Sequence, residues 1–369
     1  MNRKQIEQWY SKMLAGLLMT GMVCLLFACS EDPEQDRQEE ETLQLFAYSQ
    51  NYGNGESLGT RATSDYHFYT DAPITAYMTT IGEQPSAAKA TFRYSATTTK
   101  WSSAFKIQEG ETYYIYGFTP SSAVTGSSID YLAGSSSYYA NGAIMTLEGL
   151  EAVSDKDICL IVGVEQAESE QVAVSANFKP GSYKYEGKPK NQNFAYMLLH
   201  HFYGALSFTI KIDETYSQLR TIRLKKLELK DVPSSYSAAI TLKPSDDKPI
   251  DNITYFKGEG NNNVTFFEHE GLELTTTAKV LTEPNSEEIK KMMVLPAPTN
   301  INSLVLLCTY DVYDRKGNLI REDCKVENKL PNGYITRGEW KTVNLTVNPT
   351  FLNVLSDPDL DNPPVLDYN

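Results

Sequence analysis

Cysteine, histidine and tryptophan are scarce in this chain, with five, four and three copies in 369 residues. Those present form no recognisable reaction motif: there is no P-loop, no G-x-S-x-G, no H-E-x-x-H and no C-x-x-C. His67, His200, His201 and His269 read as packed or solvated side chains. His200 and His201 are adjacent, so on a strand they point to opposite faces and cannot chelate one ion together. Catalysis is not expected, and no cofactor or metal is implied. Basic charge is also short: 33 Lys and Arg stand against 47 Asp and Glu, a net charge of -14. That balance argues against nucleic acid, whose phosphates need cationic partners. It suits a soluble, extracytoplasmic protein. Long segments of helical period are missing, and no short internal repeat is visible. What is plentiful is strand-forming: 24 Tyr, 14 Phe and recurrent Thr, Val and Ser.

The N-terminal region carries the sharpest signal. Arg3, Lys4 and Lys12 precede an apolar run over residues 13–28, which ends in Leu26-Phe27-Ala28-Cys29. A charged start, an apolar run, a small residue and then a cysteine form the layout of a bacterial lipoprotein signal. The run falls short of the about 20 apolar residues that a spanning helix needs. Cys29 is therefore the expected lipidated N-terminus; an uncleaved anchor or an ordinary secretory signal is the alternative. Beyond it, Glu31, Asp32, Glu34, Asp36, Glu39, Glu40 and Glu41 outweigh Arg37, as in a solvated tether.

Roughly 340 residues then remain, enough for two domains of ordinary size. Residues 43–48 make an apolar-rich strand. The Gly- and Asn-dense stretch 51–62 is an exposed loop. Its only basic residue, Arg61, offers a trypsin-like protease one clear target. Strand signals resume at 73–78, 91–94, 105–107 (entering a turn at Glu109-Gly110), 113–118, 157–164 and 201–212. Tyr113, Tyr114 and Tyr116 fit such a strand better than a ligand platform, and the Ser/Gly-rich stretch 121–137 reads as a loop. After a break around 213–217 a second series begins. Ile222 and Leu224, then Leu227 and Leu229, are out of phase, which predicts a bulge. Strands follow near 239–242, 264–267 and 293–295. Residues 285–292 read as a short helix, with Asn285 as cap and Glu288 three positions on. Trp340 precedes a strictly alternating closing strand at 343–347. Many short strands with turns between them predict an all-β chain of sandwich type.

With Cys24 in the signal and Cys29 lipidated, Cys159, Cys308 and Cys324 are left. Residues 304–312 and 319–326 read as strands joined by Asp314-Arg315-Lys316-Gly317-Asn318. The midpoint of 308 and 324 falls on Lys316, inside that turn. The two cysteines then face each other across a hairpin, within disulfide reach, and closing that loop contributes about 3 kcal/mol. Two buried thiols on an inward face are the alternative. The tail is unusually apolar for a terminus: Phe351, Leu352, Val354 and Leu355, then an Asp/Pro-rich connection, then Val365, Leu366 and Tyr368. Such side chains want a groove, on this protein or on another.

Together these features resemble the fimbrillin family, the lipoprotein pilins of Bacteroides-type type V pili, over most of the mature chain. The resemblance rests on Leu26-Phe27-Ala28-Cys29 with its acidic follow-on, which looks like a surface-export signal, and on Thr60-Arg61-Ala62 after a first strand. It rests also on Trp101 leading to the segment 109–120, and on His201-Phe202-Tyr203-Gly204-Ala205-Leu206-Ser207-Phe208. It implies two transthyretin-like β-sandwich domains in tandem, at 62–213 and 214–350. Before them stand a signal peptide, 1–28, and a lipidated propeptide carrying the first strand, 29–61; after them stands a donor-strand tail, 351–369. It implies lipid attachment to the outer membrane at Cys29, then cleavage between Arg61 and Ala62 by an Arg-specific surface protease. The groove left by the first strand would take an extended segment of another pilin subunit, with Phe351, Leu352, Val354, Leu355, Val365, Leu366 and Tyr368 as candidates. The implied product is a structural or adhesive subunit of a cell-surface fimbrium, able to meet a host or bacterial surface receptor. The alternative function is a surface glycan-binding lipoprotein that keeps its lipid.

Overall fold

The computed structural model describes residues 41–53, 66–80, 87–132, 139–167, 179–245, 247–296, 304–330 and 335–348. Strand follows strand through all of them. The first are β1 (Glu41–Gln50), β2 (Tyr66–Phe68), β3 (Ile74–Thr80), β4 (Ala88–Ser95), β5 (Lys100–Ile107) and β6 (Thr112–Thr119). Next come β7 (Gly126–Tyr131), β8 (Ala143–Leu150), β9 (Val153–Ser154), β10 (Cys159–Gln166), β11 (Lys184–Glu186), β12 (Phe194–His201) and β13 (Gly204–Ile212). A four-residue helix, α1 (Glu214–Ser217), is capped by the Asp213 carboxylate, which accepts from the Tyr216 amide. Then follow β14 (Thr221–Pro233), β15 (Tyr236–Leu242), β16 (Ile250–Lys257), β17 (Asn261–Glu273) and β18 (Lys279–Val280). The last are β19 (Met292–Val294), β20 (Val305–Tyr313), β21 (Leu319–Lys329) and β22 (Trp340–Val347). The chain is all-β, as its composition predicts.

The strands form four sheets. The largest runs β10-β12-β1-β5-β4-β3-β6-β11, with β2 paired to β1. Its ladder closes on itself, because β6 also pairs with β10 through Thr119 opposite Cys159 and Phe118 opposite Leu160. The ring encloses a core of its own, including Leu43, Leu45, Ile74, Phe92, Trp101 and Met197. A second, larger core includes Phe46, Tyr48, Phe118 and Leu198 from the other face of the ring, and buried residues of the remaining sheets. Those sheets run β18-β13-β19-β9 with β22 on β13, β17-β14-β20-β21, and β16-β15-β8-β7. The first and last of these take strands from both sides of Asp213.

Several local expectations change in the structure. Residues 126–131 are a strand rather than loop, because their backbone ladders onto β8 from Gly126 opposite Glu148 to Tyr131 opposite Ala143. The expected strand 201–212 is broken at Phe202-Tyr203, where the chain leaves the ring and enters β13. Residues 285–292 are not a helix. Asn285 has φ of 63°, which an N-cap does not adopt, and Thr282 bridges Ile289. The Glu283 amide donates to Glu288 O, and the Lys290 amide to Leu281 O, so this segment folds back on itself as a turn.

Of the two readings of the cysteine hairpin, the structure takes the buried-thiol one: Cys308 and Cys324 are free and buried, with no disulfide between them. Next to the turn the pairing is Tyr313 with Leu319, which is the register that would bring 308 opposite 324. Irregularities on either side of Val312 then shift it, so that Tyr310 faces Cys324 and Cys308 faces Val326. Asp311 Oδ1 accepts from the Asp323 amide within this kink, and Asp323 sits at φ 51°. The thiols end on diagonal positions, typically about 7–8 Å apart, beyond disulfide geometry. The bulge expected near Ile222 to Leu229 is present as a register shift between Leu224 and Lys226.

Candidate functional site

β1 is held on both edges. It runs parallel to β12, from Gln44 opposite Phe194 to Ser49 opposite Leu199. It runs antiparallel to β5, with Leu45 opposite Trp101. Because side chains alternate along a strand, Leu43, Leu45 and Ala47 enter the ring core while Phe46 and Tyr48 enter the larger core. Both faces of the one strand are thus buried in apolar surroundings, which explains why its sequence is a nearly continuous apolar run.

The chain leaving β1 is tied down at four successive residues. The Gln50 carbonyl accepts from His201 Nε2. Asn51 Oδ1 lies 2.8 Å from His67 Nδ1. The Tyr52 ring stacks on His201, and its hydroxyl donates to Met293 Sδ at 3.1 Å. Gly53 donates to Gly338 O and accepts from the Trp340 amide, at 2.8 and 2.9 Å. Beside these residues lies a cleft of about 570 Å³, lined by Tyr52, Asp71, Asp157, Cys159, His201 and Trp340 among others.

The cleft floor holds a cluster. Cys159 and His201 are directly opposite in the β10–β12 ladder, and Asp157 precedes Cys159 by two residues. Asp157 Oδ2 is 2.7 Å from His201 Nδ1, and Cys159 Sγ is 3.4 Å from the same nitrogen. Burial first, and the Asp157 charge second, push the Cys159 thiol and the Tyr52 phenol well up, so both keep their protons at neutral pH. A nucleophile–base–carboxylate relay needs the thiol and the carboxylate on opposite ring nitrogens. Here both address Nδ1, while Nε2 is occupied by the Gln50 carbonyl. The arrangement therefore lacks relay geometry; it can hold a charge or bind an ion.

His200 and His201 do point apart: His200 Nε2 is 2.9 Å from the Tyr66 hydroxyl, away from the cluster. The lipidation residue Cys29, the processing pair Arg61 and Ala62, and the seven donor-strand candidates lie outside the described residues. Gln50, Tyr52 and Asp157 carry no signal of their own in the sequence, where Cys159 stands only as a leftover thiol and His201 as a packed or solvated side chain. Asp157 lies two residues before Cys159, inside the expected strand 157–164, so the spacing is legible as a pair although β10 begins only at Cys159. The arrival of His201, 42 residues from Cys159, depends on strand register.

No protein-family model matches this chain, and no curated protein sequence matches it. Among solved structures it is similar to a fimbrial protein from Bacteroides vulgatus, at 11% identity and TM-score 0.47, covering 83% of this chain and 95% of that one. It is similar to a "putative cell adhesion protein" from Bacteroides fragilis, at 11% identity and TM-score 0.39, covering 84% and 94%. A fimbrial assembly protein from Parabacteroides distasonis follows at 10% identity and TM-score 0.31, covering 83% and 92%.

Proposed function

We propose that this chain is the precursor of a cell-surface fimbrial subunit whose first strand is removed on maturation and replaced by an extended segment of a neighbouring subunit. The observation that carries this reading is the place of β1: paired on both edges and buried on both faces. Its removal would leave β12 and β5 with unpaired backbone groups. It would also uncover the pockets of Leu43, Leu45, Phe46 and Tyr48, worth roughly 1.5–3 kcal/mol each and about 6–12 kcal/mol together. Such an opening is mended by an extended segment that supplies main-chain hydrogen bonds and apolar side chains of matching order. The tail offers one. Leu352-Asn353-Val354-Leu355 repeats the apolar-polar-apolar-apolar order of Leu43-Gln44-Leu45-Phe46.

In this reading Cys29 carries the lipid that holds the precursor at the outer membrane, and an Arg-specific protease cuts after Arg61. The fragment released takes β1 and the tied segment Gln50 to Gly53 with it. The test is limiting trypsin on purified precursor. The expected result is one early cut at Arg61, followed by oligomers that survive mild SDS. A cut chain that stays monomeric, or an uncut one that binds polysaccharide saturably, contradicts it and favours a glycan-binding lipoprotein.

A further inference from the structure

Three ligand-type side chains converge among the residues that line the cleft. The ligand-type atoms of Asp157, Cys159 and His201 all lie within 4.8 Å of one another. His201 Nε2 faces a carbonyl, which only accepts, so Nε2 carries hydrogen. The other ring nitrogen, Nδ1, lies 2.7 Å from an Asp157 carboxylate oxygen and 3.4 Å from the Cys159 sulfur. A proton on Nδ1 serves the first contact; a metal ion would engage all three groups. Asp157 Oδ1 is buried, and the Tyr52 phenol stands within hydrogen-bonding reach of the same carboxylate.

We propose that Asp157, Cys159 and His201 form a three-ligand site for a zinc-class divalent cation, with a fourth position open to the cleft. One sulfur, one imidazole nitrogen and one carboxylate oxygen match borderline-soft ions and disfavour calcium or magnesium, which take oxygen ligands. Tetrahedral bonds of about 2.0–2.3 Å set neighbouring ligand atoms roughly 3.3–3.6 Å apart. The Cys159–His201 separation of 3.4 Å already fits. The Asp157–His201 pair must open by about 0.6 Å, within reach of a side chain that is 28% exposed. The Nε2–H bond to the Gln50 carbonyl is the outer contact that orients metal-bound histidines. On binding, the Cys159 thiol and, where present, the Nδ1 proton pass to solvent, and the ion sheds bound water as bonds to S, N and O form; no electron is transferred. The site does not depend on the fimbrial reading.

The experiment is a cobalt(II) titration of chelator-treated, full-length protein, followed in the near ultraviolet, with zinc(II) added afterwards. One equivalent of cobalt should produce a thiolate-to-cobalt charge-transfer band that zinc abolishes. Cys159→Ser should lose the band, and Asp157→Asn should weaken binding by at least about tenfold. Cys308→Ser should change neither. Folded wild-type protein that shows no band at large cobalt excess overturns the proposal. So does a band that persists in Cys159→Ser, or one that Asp157→Asn leaves at full affinity. Should Cys159→Ser fail to fold, the wild-type titration and Asp157→Asn, altered at a part-exposed side chain, decide the matter.

Discussion

The ring of Tyr52 lies face to face with that of His201, their centroids 3.8 Å apart and their planes within 18°. Tyr52 follows the strand that enters the ring, and His201 ends the strand beside it, so the stack fastens the exit of β1 to its own neighbour. Tyr52→Ala should free the segment from Gln50 to Gly53 at a cost of roughly 1–3 kcal/mol. Hydrogen exchange checks this: the Gly53 and Trp340 amides should exchange faster in the variant while amides of β20 keep their protection. Equal acceleration everywhere would show a global loss instead.

The seat of β1 predicts where the precursor is vulnerable. Leu45 is fully buried in the ring core, so Leu45→Ala should destabilise the precursor by about 2–5 kcal/mol. Leu319, 50% exposed on β21, should lose no more than about 0.5 kcal/mol on the same change. Thermal denaturation of both variants measures the contrast. Comparable losses would mean that β1 is not a structural member.

The thiols give a direct count. Alkylation of unreduced, denatured protein should modify Cys159, Cys308 and Cys324 alike, because all three are free. A hairpin peptide whose Cys308 and Cys324 resist alkylation would restore the disulfide.

Rising alkalinity should lower stability through the buried thiols and phenols. Burial pushes the Cys308 thiol from 9.0 up to about 12, and burial likewise raises the Tyr236 phenol from 10.0 to about 12. Each group holds its proton longer folded than unfolded. The folded chain therefore binds more protons between about pH 9 and 12, and stability falls as pH rises through that window. Below pH 9 this contribution is fully present. Cys308→Val should flatten the decline, as read by urea midpoints at stepped pH; an unchanged slope would remove Cys308 as a cause.

Much of the fold is written locally. The strict alternation of residues 343–347 becomes β22, and the Asp-Arg-Lys-Gly-Asn turn holds because Asp314 Oδ1 accepts from the Lys316 and Asn318 amides. The phase slip at Ile222 to Leu229 marks a real irregularity. Long-range pairing decides the rest. Residues 126–131 are Ser-rich and become strand only because β8 lies alongside. Two small kinks around Val312 undo a cysteine pairing that the turn alone would have set. The closure of β6 on β10, which makes β1 a member of a ring, has no local signature. The direct pairing of β10 with β12, Cys159 opposite His201, gathers Asp157, Cys159 and His201.

Truncation after Thr350 tests the central claim most directly. The shortened precursor, cut at Arg61, should keep its thermal stability before cleavage and yield no SDS-resistant oligomers after it. Fibres as abundant as those of the full chain would show that the tail does not replace β1.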